Sequence, residues 1–249
     1  MINKIVLIVL VMVSSVFAEK INIAVAANVS YAINDLISEF NKTNPDTKVQ
    51  ITLGSSGKLT AQIKNGAPYN IFMAANMKYP EALYNDNIAI TKPIIYAQGS
   101  LAILSTKKLD FEKGINLAVD TKVDKIAIAN PKTAPYGKAS VEAFKNANIY
   151  KEIEKKLVYA ESISQTVTYA ITATDMGFIA KSSLYSPKMS MYKKGINWTD
   201  VDPKLYTPIN QGIVILKNAK DNKEVKAFYD FILSEKAKKI FNEFGYLVP

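Results

Sequence analysis

Residues 20–45 read KINIAVAANVSYAINDLISEFNKTNP, and this stretch decides the fold class. The stretch Lys20–Ala27 first alternates polar and apolar residues and then becomes wholly apolar, which is typical of a buried strand. Apolar residues then recur at helical spacing over Ser30–Thr43, and Pro45 ends the predicted helix. A strand, a short polar turn and a helix in this order form the repeating unit of α/β proteins. The stretch therefore predicts a mostly parallel sheet flanked by helices.

The same unit recurs along the rest of the chain. Further strands are predicted at Val49–Leu53, Asn70–Ala75, Ile94–Ala97, Leu101–Ser105, Lys125–Ala129, Gly177–Ala180 and Gln211–Leu216. Helices are predicted around Leu59–Ile63 and at Tyr79–Asn85, Lys138–Asn146, Ser162–Ala173, Asn222–Leu233 and Ser234–Phe244. We expect two α/β lobes, residues 19–97 with 207–249 as lobe I and residues 98–206 as lobe II. Ligands of open α/β sheets bind beyond the carboxyl ends of the strands, so the cleft between the lobes is the expected site.

The first eighteen residues read MINKIVLIVLVMVSSVFA and have the pattern of a signal peptide. Lys4 supplies the positive start, and the apolar run Ile5–Val13 is too short to span a bilayer comfortably. Val16 and Ala18 then place small residues at the positions that a signal peptidase reads. The sequence therefore predicts residues 1–18 as a signal peptide and a mature chain in the periplasm. No cysteine follows, so no lipid anchor is expected.

Composition excludes several classes of function. The 249 residues contain no cysteine and no histidine, which removes Cys nucleophiles, Ser-His-Asp triads and zinc sites of the Cys/His kind. We expect no direct cation ligands. The net charge is +9, and all 31 basic residues are lysines scattered along the chain. Such scattering favours a solvated surface over nucleic-acid binding. The glycine-rich stretch lacks the P-loop spacing, which argues against a nucleotide site.

Three segments share a strand end, a small or polar turn and a helix start. They are Ala26–Ser30, Gly54–Gly57 and Pro135–Lys138, and a fourth segment, Ala160–Ser164, also opens a helix. Each offers unpaired backbone N–H groups at the positive end of a helix. Together they could hold an anion without any arginine. Ordinary N-capping by Asn or Ser is the alternative explanation for each segment taken alone.

Five motifs of the chain, taken in order, resemble the periplasmic molybdate-binding proteins of ABC importers. The motifs are AANVS at 26–30, GSSG-x-L-x-x-Q-I at 54–63, GAP-x-x-I-F-x-A-A at 66–75, NP-x-x-x-P-Y-G at 130–137 and VKAFYDFI at 225–232. The resemblance covers nearly the whole mature chain. It implies a two-lobe, type II periplasmic-binding-protein fold that closes on a tetrahedral oxyanion, molybdate or tungstate. It also implies a protein that is not an enzyme, needs no cofactor and delivers its ligand to an ABC transporter permease at the inner membrane. We expect a monomer.

The resemblance also implies which residues hold the oxyanion. The side chains would be those of Asn28 and Ser56, and backbone N–H groups at Tyr136 and Ile163 would complete the site. Ala27 and Ser55 would be their neighbours. Many members of the family place a tyrosine hydroxyl just after a late strand, where this chain has Ala180. The hydroxyl of Tyr136 is a candidate replacement for that missing donor.

Other functions remain open at this point. The same fold could serve another tetrahedral oxyanion such as sulfate or phosphate. Ferric-binding members usually need adjacent tyrosines, and none of the 14 tyrosines are adjacent. An exported hydrolase with Ser56 as nucleophile and Lys58 as its base belongs to a different class. A surface adhesin would be favoured only if no small anion binds.

Overall fold

The strands form two five-stranded sheets, one in each lobe, in a computed structural model that describes residues 19–249. The predicted signal peptide, residues 1–18, lies outside the described residues. The lobe I sheet has the order β2-β1-β3-β10-β4, with β1 at Glu19–Ala26, β2 at Thr47–Gly54, β3 at Ile71–Met73, β4 at Ile94–Gly99 and β10 at Ile209–Ile215. The lobe II sheet has the order β7-β6-β8-β5-β9, with β5 at Leu101–Leu104, β6 at Ile126–Ala129, β7 at Leu157–Ala160, β8 at Met176–Ala180 and β9 at Trp198–Asp200.

The two sheets share one pattern of strand directions. In lobe I, β10 runs antiparallel to β3 and β4, while the other strands run in a common direction. In lobe II, β5 is the strand that opposes its neighbours β8 and β9. In each sheet the antiparallel strand is the first strand after the chain crosses from the other sheet. Strand β5 follows β4, and β10 follows β9. The expectation of mostly parallel sheets is confirmed.

Helices cover both faces of each sheet. The α-helices are α1 at Ile33–Asn41, α2 at Ser56–Lys64, α3 at Lys78–Asn85, α4 at Pro135–Asn146, α5 at Tyr150–Ile153, α6 at Ile163–Thr172, α7 at Lys223–Ile232 and α8 at Glu235–Glu243. Short 3-10 helices lie at Ala27–Tyr31, Phe111–Val119, Glu154–Lys156, Lys181–Tyr185, Pro187–Met189, Pro203–Leu205 and Lys217–Ala219. In lobe I, α1, α7 and α8 bury Phe40, Phe228 and Phe241 on one face of the sheet, and α2 and α3 cover the other. Within residues 19–249, no helix has both the length and the hydropathy needed to cross a bilayer.

Several predicted element bounds were wrong. The segment predicted as a turn before a helix at Lys138 is instead the first turn of α4, because Pro135 occupies the first helical position, where its fixed φ is favourable. The helix predicted from Ser30 begins at Ile33, after a 3-10 turn. The edge strands β7 and β9 were not predicted. They have only four and three residues, which is too short to show an alternation of apolar and polar side chains.

Gly137 explains how α4 can begin so close to the sheet. A Cβ at this position would collide with the carbonyl oxygen of Ala129, the last residue of β6. The absence of a side chain therefore lets the helix start directly against the strand end. This packing carries the N-terminus of α4 to the carboxyl edge of the lobe II sheet, where the two lobes face each other.

Candidate functional site

One small cavity lies between the lobes, at the carboxyl ends of parallel strands from both sheets. Its volume, counted as the space open to the centre of a water molecule, is about 10 Å³. Its lining residues are Ala26, Ala27, Asn28, Gly54, Ser55, Ser56, Ala75, Ala134, Pro135, Tyr136 and Ile163. All six residues nominated from the sequence are among them, namely Ala27, Asn28, Ser55, Ser56, Tyr136 and Ile163. The structure thus brings together segments from β1, β2, β6 and β7 that are far apart in the chain.

Two buried serines at the start of α2 form part of the lobe I wall. The Oγ of Ser56 accepts a hydrogen bond of 2.9 Å from the backbone N–H of Ala75, so its own hydrogen remains free to donate. The Oγ of Ser55 is buried and has no hydrogen-bond partner. Neither hydroxyl caps the helix in the usual way, because no side chain accepts from the first turn of α2. Both hydroxyls can therefore donate to a ligand.

Asn28 completes the lobe I wall, and its side chain is completely buried. Its Nδ2 donates to Oε1 of Gln211 at 2.7 Å and to the hydroxyl of Tyr246 at 3.0 Å. Its Oδ1 has no partner. Across residues 19–249, only Asn28 Oδ1 and Ser55 Oγ are buried side-chain polar atoms without one. Leaving such a group unpaired costs about 1–3 kcal/mol, and both atoms belong to residues of this one cavity.

The lobe II wall consists of helix N-termini. The residue before α4 is Ala134, which offers no side-chain acceptor, so the first N–H groups of α4, at Tyr136 and Gly137, have no cap. Before α6, Ser162 accepts from the N–H of Gln165 at 3.3 Å and leaves the N–H of Ile163 uncapped. These N–H groups lie at the positive ends of the helix dipoles, where an anion is stabilised.

The hydroxyl of Tyr136 makes its contacts at the junction of the lobes. It accepts a hydrogen bond of 3.3 Å from Nε2 of Gln211, and a Cβ at Gly99 would collide with it. Burial raises the pKa of Tyr136 well above its ordinary value, so the hydroxyl stays neutral. These contacts favour the backbone N–H of Tyr136 as its contribution to the cavity. Ala180 ends β8 and does not line the cavity.

The two lobes are in direct contact around the cavity. The N–H of Gly57 donates to the carbonyl oxygen of Thr133 at 2.9 Å, and Lys58 pairs with Glu161 at 2.6 Å. A Cβ on Gly57 would lie 3.0 Å from both Cα and O of Thr133, so glycine permits this approach. Lys58, the base of the hydrolase hypothesis, is half exposed and engaged in that ion pair.

No charged side chain lines the cavity. Within the described part of the chain, no group of three or more acidic, histidine or cysteine residues could hold a metal ion. The free donors at the cavity are all neutral hydroxyl and backbone N–H groups. Such an arrangement suits an oxyanion, because each oxygen can accept hydrogen bonds without a fixed counter-charge.

The sequence did not indicate the side chains behind the cavity. Gln211, Tyr246 and Ser182 form hydrogen bonds with Asn28, and Tyr96 forms one with Gln211. One signal was available, since Gln211 is a polar residue within the apolar strand INQGIVI. Nothing local marks Tyr246 as a partner, because it lies 218 residues from Asn28 in the chain.

Comparison with known proteins gives matches over almost the whole described chain. A family described as bacterial extracellular solute-binding protein matches residues 21–247. The molybdate-binding protein ModA of Azotobacter vinelandii is 33% identical over 231 residues, which are 92% of this chain and 90% of that protein. ModA of Rhodobacter capsulatus is 33% identical over 228 residues, 90% of this chain and 86% of that protein.

Solved structures match equally broadly. The periplasmic molybdate-binding protein of Azotobacter vinelandii has a TM-score of 0.85 at 29% identity and covers 92% of this chain and 99% of its own. The sulfate-binding protein SubI of Mycobacterium tuberculosis shares the fold, with a TM-score of 0.70 at 12% identity over 92% of this chain and 86% of its own. The two-lobe periplasmic-binding-protein fold is therefore confirmed.

Proposed function

Since the chain belongs to the bacterial extracellular solute-binding protein family, we propose that it captures molybdate and delivers it to the permease of an ABC transporter. Tungstate, a tetrahedral dianion like molybdate, is the expected second ligand. The protein is a carrier and not an enzyme, and it needs no cofactor. Its relatives from Azotobacter vinelandii and Rhodobacter capsulatus, both named for molybdate binding, support this choice of ligand.

The observation that carries the proposal is the set of free donors at one neutral cavity. The hydroxyls of Ser55 and Ser56 and the uncapped N-termini of α4 and α6 all lie at its walls. Burying a dianion is very unfavourable unless its oxygens receive hydrogen bonds. Each hydrogen bond to a charged group contributes about 1.5–3 kcal/mol, so several donors acting together can offset that desolvation.

The proposed ligands are distributed over both lobes. The side chains of Asn28, Ser55 and Ser56 donate from lobe I, with Ala27 adjoining them. The backbone N–H groups of Tyr136 and Ile163 donate from lobe II. Only a closed arrangement of the lobes lets both sets act on one anion.

The proposal includes how the protein works in the cell. Residues 1–18 act as a signal peptide that sends the chain to the periplasm. Residues 19–97 with 207–249 and residues 98–206 are the two lobes, which move about the crossovers after β4 and before β10. The protein acts as a monomer and presents its closed form to a permease at the inner membrane.

A screen of oxyanions tests the ligand assignment. Molybdate or tungstate at about 1,000 times the dissociation constant adds roughly 4 kcal/mol of stability. For a chain of this length we expect the melting temperature to rise by about 8–16 °C. Sulfate and phosphate at equal concentration serve as controls and should have little effect. A shift with sulfate and none with molybdate would reassign the ligand.

A further inference from the structure

Gln211 joins the two walls of the cavity without lining it. The residue is completely buried in β10, the strand that enters lobe I from lobe II. Its Oε1 accepts from Nδ2 of Asn28 at 2.7 Å and from the hydroxyl of Tyr96 at 2.8 Å. Its Nε2 donates to the hydroxyl of Tyr136 at 3.3 Å. One carboxamide therefore contacts the Asn28 side chain of lobe I and the Tyr136 side chain of lobe II.

These hydrogen bonds determine which end of Asn28 is available to a ligand. Because Nδ2 of Asn28 is engaged by Gln211 and Tyr246, the amide atom left without a partner is the acceptor Oδ1. A fully ionised oxyanion has only acceptors, so a carbonyl oxygen repels it. In this orientation Asn28 cannot serve the anion as a donor. A half-turn of the amide exchanges Oδ1 and Nδ2 with almost no change of shape.

We propose that Gln211 is a positioning residue, and that its amide turns together with the Asn28 amide when the oxyanion binds. This inference rests on the proposed function. After the turn, Asn28 Nδ2 donates to the anion and Asn28 Oδ1 accepts from Gln211 Nε2. Gln211 Oε1 then accepts from the hydroxyl of Tyr136. Tyr96 accepts from Gln211 Nε2 and donates to the carbonyl oxygen of Ala74, from which its hydroxyl lies 3.4 Å.

The surrounding groups can support both orientations. The hydroxyl of Tyr246 accepts from Asn28 Nδ2 and donates to the Asn28 carbonyl oxygen. After the turn it donates to Asn28 Oδ1 instead, and that carbonyl oxygen keeps the hydrogen bond from Ser182. A tyrosine hydroxyl can donate or accept, and burial raises the pKa of Tyr96 and of Tyr136 well above the ordinary value, so neither loses its proton near neutral pH. A glutamine carries one donor end and one acceptor end, so it can satisfy Asn28 either way round. A methionine has similar length and offers neither.

A double-mutant cycle tests this coupling, with molybdate as the probe and calorimetric titration as the readout. We expect Gln211→Met to lower affinity by about 10- to 100-fold, although residue 211 does not line the cavity. Asn28→Ala should lower affinity by a similar factor. The double variant should bind no more weakly than Asn28→Ala alone, because Gln211 acts through Asn28. Additive losses, or wild-type affinity in Gln211→Met, would overturn the proposal.

Ser105→Ala is the matched control. It removes a buried side-chain hydrogen bond outside this network, the one to the carbonyl oxygen of Asp175. A merely structural role predicts that affinity falls in both variants in step with the melting temperature. A positioning role predicts near-wild-type affinity for Ser105→Ala, even if its melting temperature without ligand falls as far as that of Gln211→Met.

Side-chain amide NMR on the wild-type protein keeps the inference testable if a variant does not fold. The amide proton signals of Asn28 and Gln211, assigned through their contacts with the Tyr246 and Tyr136 rings, should both shift when molybdate is added. A shift of the Asn28 signals with unchanged Gln211 signals overturns the paired turn but leaves the proposed function standing. A wild-type protein that does not bind molybdate overturns both.

Discussion

The two walls of the cavity offer hydrogen bonds of different origin. Lobe I presents side chains, those of Asn28, Ser55 and Ser56. Lobe II presents the backbone at the starts of α4 and α6, while the side chains of Tyr136 and Ile163 pack into the hydrophobic core. A side-chain donor is lost through one ordinary substitution. A backbone donor persists through most substitutions, because the fold and not the residue type fixes its position.

The difference also affects how ready each wall is to bind. The N–H groups of a helix N-terminus already point in one direction, so no rotamer freedom is lost when they meet an anion. Hydroxyl and amide groups must adopt one orientation, and Asn28 must reverse the one it has. The lobe II wall is therefore prepared in advance, whereas the lobe I wall adjusts to the ligand.

The largest expected effect comes from keeping the two walls apart. Gly57→Val places a branched side chain against the backbone of Thr133, 3.0 Å from the position of a Cβ, and against the hydroxyl of Tyr79, 2.8 Å away at the end of a side chain. If both lobe II donors are lost, the penalty is about 3 kcal/mol or more, which lowers molybdate affinity more than about 100-fold. Calorimetry gives the affinity, and scattering with ligand should show a larger radius of gyration than the wild type.

Ala61→Val is the control for this variant. It adds a side chain at an exposed position of the same helix, so binding should stay normal. Tight binding by Gly57→Val would mean that the lobes need not come as close as the Gly57–Thr133 hydrogen bond requires.

The next prediction distinguishes the contribution of the Ile163 backbone N–H from that of the Ile163 side chain. Ile163→Pro removes the N–H proposed to contact the anion, yet proline is well tolerated at the first position of a helix. The preceding Ser162 is extended, with φ −139° and ψ 164°, as a residue before proline prefers. We expect affinity to fall about 10- to 150-fold.

Ile163→Ala is the matched variant, because it removes the buried side chain and keeps the N–H. It should lower the melting temperature without ligand and leave molybdate affinity close to wild type. Equal affinities for the proline and alanine variants would remove this N–H group from the proposed site.

A smaller effect on affinity is expected from substitution of Ser55 or Ser56, and the two substitutions should differ in their effect on stability. Ser55→Ala removes a hydroxyl without a partner, so affinity should fall about tenfold with no loss of stability. Ser56→Ala should lower affinity similarly and also cost about 1 kcal/mol or more of stability, because the N–H of Ala75 loses its acceptor. Thermal melts without ligand and calorimetry with molybdate compare them. Unchanged affinity in both variants would leave lobe I without its hydroxyl donors.

The smallest effect concerns the ion pair at the edge of the cleft. Lys58 and Glu161 are both about half exposed, and such pairs contribute about 0.2–1 kcal/mol. Lys58→Gln should therefore weaken binding by no more than about fivefold, and added salt should reduce the difference. A loss as large as that of Gly57→Val would show that this surface contact, and not the close approach at Gly57, holds the walls together.

The segments that line the cavity could be predicted because each is local in sequence. A strand end followed by a helix start is visible in AANVS, GSSG and PYG, and the resemblance to molybdate-binding proteins chose residues within those segments. The network behind the site was not predicted. Its hydrogen bonds join residues separated in the chain by 75, 115 and 183 positions. No local sequence pattern predicts such pairs. The different states of Ser55 and Ser56 also depend on Ala75, which arrives from another strand.

The lining of the cavity has no charged side chain, and this has an electrostatic consequence. Residues 19–249 carry a formal net charge of +8, the +9 of the full chain less Lys4. A dianion held only by neutral donors brings its whole charge with it, so the loaded protein would carry +6. Loaded and empty molecules should then separate on a cation exchanger, with the loaded form eluting earlier. A membrane partner could sense this loss of two positive charges from a distance, before any contact forms.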